Sequence, residues 1–258
     1  MGKFKLLFFI FLLSQLLFSQ NTEIKYEMTY ISDTIQKESI SKIMSLYITP
    51  SKKIFIDSEK LSQKDNEEIS LDYDYTTIRQ ENKLTKFYLI DSELFSTEEK
   101  IPSFDWKISN ETKMIDNIKC QLATLNYKGR IWNAWFTPKY SFFSGPYIFD
   151  NLPGLIIEIS DSKNHYNFKL IEINQKKYNI IIPKSLTVDS NSLKKLYLNY
   201  FENPFRKLKE KGILYSIDEN GNKVSPPNFD LMVKSRQQYI FNNNNPIELS
   251  DAVKYNYR

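Results

Sequence analysis

The residues able to do chemistry in this chain are few and scattered. His165 is the single histidine and Cys120 the single cysteine. One imidazole cannot supply the paired ligands of a common zinc site, and one thiol closes most of the remaining ligand sets. A lone cysteine makes no internal disulfide either, so stability has to come from packing. No serine lies in a G-x-S-x-G elbow, and no Gly-rich phosphate loop occurs. Asp65, Glu67, Glu68, Asp72 and Asp74 crowd one stretch, but without the central Gly that a calcium loop requires. No metal and no cofactor are expected, and no catalytic residue is assigned. His165 shares a predicted strand face with Asn167 and Lys169, a solvated setting. Cys120 reads as a small buried hydrophobe, because no activating neighbour stands beside it.

The remaining lead is aromatic. Trp106, Trp132, Trp135, Phe136, Phe142, Phe143, Tyr147 and Phe149 fall within one short span. Such a cluster either packs a core or lines an apolar groove for a lipid-like or peptide ligand. On the second reading, Trp132, Trp135 and Phe136 are the ligand-contact residues. Arg130 beside them is then a buried structural ion or an anion clamp.

Two local elements must position these side chains. Arg130–Thr137 reads as a strand with Trp132, Ala134 and Phe136 on one face and Ile131 and Trp135 on the other. Apolar bulk on both sides predicts that neither face is simply wet. Downstream, Leu152-Pro153-Gly154-Leu155 is a tight turn. Pro presets a negative φ, and Gly accepts the positive φ that follows. Residues 155–160 then alternate as a strand, with Leu155, Ile157 and Ile159 on one face.

These stretches also carry a resemblance. Cys120, Ala123, the run Lys128-Gly129-Arg130-Ile131-Trp132-Asn133-Ala134-Trp135-Phe136-Thr137-Pro138, then Gly145-Pro146 and Leu152-Pro153-Gly154-Leu155-Ile156 resemble the GLPGLI family. Asn245-Pro246-Ile247-Glu248-Leu249 is similar to a common ending of that family. The resemblance implies an exported protein of an outer-membrane-bearing bacterium and supplies no catalytic residues. The chain departs from the pattern at Asn151, at Tyr147-Ile148-Phe149 and at Lys139-Tyr140-Ser141. Asn tolerates positive φ, so the turn is expected to survive.

Residues 1–20 read as a secretory signal peptide, with Lys3 and Lys5 before an apolar core and small Ser19 near the cut. That core is too short for a comfortable bilayer span, and no later apolar run is long enough for one. The protein is therefore expected in the periplasm or secreted, without a transmembrane span. A formal charge of +4, partly carried by the signal segment, points to no nucleic-acid partner. Residues 21–241 suit a single β-rich domain. Alternation predicts strands at 24–30, 40–48, 52–57, 69–76, 84–90, 104–108 and 118–127. A hairpin joins 155–160 to 165–173. Ser190 or Asn191 is placed to cap a helix through Leu193, Leu196, Tyr197 and Tyr200, and 205–211 adds a short second one. Their many lysines suit a solvated face or an anionic membrane surface. Asn220-Gly221 predicts a hairpin turn. Residues 242–258, with four consecutive Asn, read as a loosely ordered tail.

The fold class expected is mainly β with minor α. It is a curved antiparallel meander or open β-barrel, similar to periplasmic lipoprotein carriers, with one or two helices in the C-terminal third. The function expected is a non-enzymatic binding or carrier module of the cell envelope for an apolar or peptide ligand. The alternative is an accessory partner of an envelope receptor or exported-peptide system. An exported hydrolase ranks third.

Overall fold

The computed structural model describes residues 21–61, 73–182, 184–212, 216–224 and 228–257. Residues 1–20, expected to be a signal peptide, and the acids Asp65, Glu67, Glu68 and Asp72 lie outside them, as do residues 69–72 of one predicted strand.

The first six strands form one antiparallel meander: β1 (Thr22–Ile31), β2 (Ser39–Ile48), β3 (Lys52–Asp57), β4 (Thr77–Gln80), β5 (Lys83–Ile90) and β6 (Glu93–Lys100). Five more form a second: β7 (Lys107–Ile115), β8 (Ile118–Tyr127), β9 (Arg130–Thr137), β10 (Leu155–Asp161) and β11 (Tyr166–Asn174). β1 pairs with β11 and fuses the two into one open sheet of 12 strands, with short β12 (Leu186–Thr187) parallel to β6 at the far edge. Tight turns fix the registers. Asp91-Ser92, Asp116-Asn117 and Lys128-Gly129 each hold two consecutive residues at positive φ, the backbone that matches the twist of a two-residue hairpin. The architecture is mainly β and open, as the alternation predicts.

Alternation sets the faces. Ile24, Tyr26, Met28, Met44, Leu46, Phe55, Trp132, Ala134, Phe136 and Phe168 point to one side and make the larger core. On β9 the other face is less covered than predicted. Ile131 is 53% exposed and Trp135 half-buried, so that side reaches solvent. β10 departs from simple alternation. A register shift between Ile156 and Glu158 lets Leu155, Ile156, Ile157 and Ile159 all be buried.

The opposite face of β2–β6 has its own core, absent from the sequence reading. Tyr47, Ile54, Ile56, Phe87 and Leu94 lie there. The segment after β11 packs Tyr178, Ile180 and Ile182 over them on the way to β12. Helix α1 (Ser58–Leu61) adds Leu61.

The loop at 138–154 turns inward and fills the larger core with Tyr147, Ile148, Phe149 and Leu152. Two glycines permit this. A Cβ on Gly145 would meet Ile156 Cδ1 at 2.4 Å, and one on Gly154, at φ +153°, would meet the Thr137 carbonyl oxygen at 2.1 Å. Thr77 Oγ1 donates to the Tyr147 carbonyl at 3.2 Å, and Trp106 Nε1 to that of Asp150 at 2.8 Å.

Helix α2 (Ser190–Glu202) begins one residue earlier than the cap predicts. Asp189 is the N-cap, its carboxylate accepting from Ser192 N at 2.8 Å. α3 (Arg206–Glu210) matches the predicted short helix. α4 (Phe229–Asn242), capped by Asn228, was not anticipated. The predicted loose tail is instead packed, with Asn245, Ile247, Glu248 and Val253 buried. The Asn residues there work as hydrogen-bonding groups. Asn245 Nδ2 donates to the Ile31 carbonyl at 2.6 Å, and Asn244 Nδ2 to that of Val253 at 2.6 Å.

Candidate functional site

The structure disperses the predicted ligand-contact residues. Trp132 is 1% exposed, with its ring centroid 4.6 Å from that of Phe149. Phe136 is buried beside it. Trp135 lies on the opposite face of β9, with Lys113 Nζ 4.5 Å from its ring centroid and Lys113 paired to Glu158 at 2.9 Å. No groove is lined by both tryptophans, because consecutive odd and even positions on a strand face opposite ways.

Arg130 is a clamp, and what it clamps is the chain itself. Nη1 pairs with Asp161 at 3.0 Å, Nε donates to the Ile247 carbonyl at 3.0 Å, and Nη2 donates to Asn245 Oδ1 and the Pro246 carbonyl, both at 2.7 Å. Its guanidinium also sits 4.8 Å from the Tyr166 ring centroid. All three nitrogens bond to the chain's own acceptors, through four of the five N–H groups. Leu152, Pro153, Gly154 and Leu155 serve the turn, with Leu152 and Leu155 in the core. His165 Nδ1 lies 3.3 Å from Asn245 Nδ2, and Cys120 is buried, its thiol pushed up to about 11 chiefly by burial.

A different site is present. A cavity of about 670 Å³ lies between β5, β6, α2, α4 and the C-terminal segment. Nine of the chain's 17 tyrosines reach it, among them Tyr75, Tyr88, Tyr147, Tyr166, Tyr197 and Tyr255. The spacing of Leu193, Tyr197 and Tyr200 on α2 brings one wall together, because positions three and four apart share a helix face. That wall was visible in the sequence as an amphipathic helix. The facing tyrosines from β1, β5, β11 and the inward loop were not. A depression of about 720 Å³ at the β7–β8 edge is more open, with Asn110, Thr112 and Gln121 on its walls. The tyrosine cavity is the stronger candidate because strands, helices and the C-terminal segment wall it more fully and it offers ring faces.

Its lining combines neutral hydroxyls with paired charges. Burial raises the phenols of Tyr88, Tyr147 and Tyr197, and carries Tyr166 and Tyr255 to about 12, so they remain neutral hydroxyls at ordinary pH. Lys86 Nζ pairs with Glu248 at 2.5 Å and with Glu99 at 2.7 Å. Burial pulls this ammonium down, but the carboxylates outweigh it and hold it above the usual lysine range. A lysine so held stays protonated and serves neither as a nucleophile nor as a general base. Burial pushes the Glu248 carboxyl up while Lys86 opposes, and Tyr147 donates to it at 3.1 Å. Lys128 pairs with Asp251 at 2.9 Å. The charges at this end of the cavity are thus answered within the protein.

Among the described residues, no group of three or more His, Cys, Asp or Glu is placed to hold a metal, and no helix is long and apolar enough to cross a membrane. No protein-family model and no curated protein matches the chain. Among solved structures it is similar to PNGF-II crystallised in space group P21, with a TM-score of 0.50 and 14% identity over 69% of this chain and 33% of that one. The C2 crystal form of PNGF-II gives a TM-score of 0.49 and 14% identity over 69% and 32%. The P21 likeness shows a shared β-rich fold. The chain spans about a third of the length of PNGF-II.

Proposed function

We propose that this chain is an exported, non-enzymatic binding or carrier module of the bacterial cell envelope, a member of the GLPGLI family, with the tyrosine-lined cavity as its site. The observation that carries the reading is the pairing of about 670 Å³ of half-open cavity with ring faces and neutral hydroxyls. Such a lining suits an amphipathic occupant, a lipid-like molecule or a peptide, whose apolar body lies on the rings while its polar groups meet phenols and amides. The locked Lys86–Glu248 pair favours binding over acid–base chemistry. The outer face supports the accessory-protein alternative less. Its exposed Ile131 and Ile171 stand among polar Asn133, Ser160 and Lys169 rather than in a broad apolar patch.

The test is native mass spectrometry of the mature protein purified gently from its own host. A bound lipid or peptide is expected, and Tyr88→Ala with Tyr197→Ala is expected to lose it while the circular dichroism is unchanged. An unliganded protein, with wild type and double variant alike unable to retain fluorescent fatty-acid or peptide probes, would refute the proposal.

A further inference from the structure

The inward loop meets β3 and β4 around one carboxylate. Asp150 Oδ2 receives Lys53 Nζ at 2.7 Å and Arg79 Nη1 at 3.1 Å. Its Oδ1 accepts from the Asn151 amide at 3.1 Å and from Ser144 Oγ at 3.4 Å. Both oxygens are engaged. Arg79 Nη1 also donates to the Ile148 carbonyl at 3.3 Å. Arg79 Nε and Nη2 have no hydrogen-bond partner among the described residues, although the residue is only 4% exposed. These two nitrogens are one edge of the guanidinium, the fork that receives an anion side-on. Arg130, buried to the same degree, places every nitrogen on an acceptor. The contrast marks Arg79 as incomplete.

Two features converge there. Charged N–H groups stripped of water and left without an acceptor are costly, more so than neutral ones. Two cations also share one carboxylate, so the cluster carries a surplus positive charge. Lys53 is the partly exposed member, at 31% of its side chain, and Arg79 the buried one, at 3%. Burial lowers the pKa of both, the strain expected of cations short of counter-charge. A water molecule would offer lone pairs and leave the charge unanswered. Tyr26 and Phe55 on nearby strands are fully buried, so the surroundings are close-packed, and a monatomic ion demands less space there than a sulfate or phosphate.

We propose that the Nε–Nη2 fork of Arg79 holds a single halide-sized anion, which completes the Lys53–Asp150–Arg79 cluster and secures the inward loop to the sheet. The site is separate from the tyrosine cavity and stands whether or not that cavity binds a ligand. Crystals of the mature protein grown in sodium bromide, measured at the bromine edge, are expected to show an anomalous peak on the fork. In solution, the unfolding midpoint is expected to be higher in bromide than in gluconate at equal ionic strength. Above half-saturation it should climb about 3–5 °C per tenfold rise in halide. Lys53→Met removes the surplus charge, leaves the fork intact and sits at a partly exposed position, so it tests the idea even if Arg79→Met does not fold. It is expected to abolish most of the halide dependence. A peak on the fork without anomalous signal, meaning water, would overturn the proposal, as would equal midpoints in bromide and gluconate.

Discussion

Raising the pH should unfold this protein in one cooperative step, and its buried phenols set where. Tyr26, Tyr147 and Tyr166 are at most 5% exposed, and the hydroxyl ends of Tyr75 and Tyr197 are also buried. Burial raises all five, Tyr166 to about 12. Below about pH 10 these groups are protonated in both folded and unfolded chains and do not affect the balance. Above it the unfolded chain loses its phenolic protons while the native state retains them, so each pH unit favours unfolding. Each withheld proton is worth about 1.4 kcal/mol per pH unit. Three to five of them, the range reflecting the two half-buried rings, give about 4–7 kcal/mol per unit. A domain stable by ~5–15 kcal/mol then fails between about one and four units above pH 10. The assay follows tyrosinate absorbance and far-ultraviolet circular dichroism together. A steep step in absorbance should coincide with loss of the β signal. Gradual ionisation of nearly all the tyrosines beneath an intact β spectrum would refute the reasoning, because it would mean that the phenols are not withheld from water.

Arg130→Leu strands Asp161, which is 2% exposed, without its cation and should cost about 3–5 kcal/mol in urea unfolding. It should also make the segment after Asn243 newly sensitive to limited proteolysis, since the Ile247, Asn245 and Pro246 contacts go with it. Gly154→Ala drives a Cβ against the Thr137 carbonyl and should cost at least about 2 kcal/mol, measured by the same unfolding curve. Cys120 should react with a thiol reagent roughly 100-fold more slowly in the native protein than in urea, because the thiol is buried and its pKa raised.

Much of the strand inventory was legible. Ile24, Tyr26, Met28 and Tyr30 alternate with Lys25, Glu27 and Thr29, and the period of two places them on opposite faces as found. The hairpins β2–β3 and β10–β11 follow from local turn residues. The bulge at Ile157 was not legible, because an extra residue in one strand shows only against its partner's register. Nor was the packing of the Asn-rich tail. Composition scores asparagine as loop-forming, whereas Asn245 is held by partners more than a hundred residues away at Arg130 and more than two hundred away at Ile31.

By itself the sequence determined the class of element at most positions, the tight turns, and the scarcity of groups for metal or nucleophilic chemistry, since all three depend on residue type and short spacing. Tertiary structure alone decided that β1 joins β11, that the aromatic loop turns inward, and that of the two faces of β9 the one with Trp132 is core while the one with Trp135 reaches solvent. It also decided that tyrosines from β1, β5, β11, the inward loop, the helices and the C-terminal segment meet around one cavity. Those outcomes depend on non-local pairing, in which a side chain's role is set by the surface that closes over it and not by its neighbours in the chain.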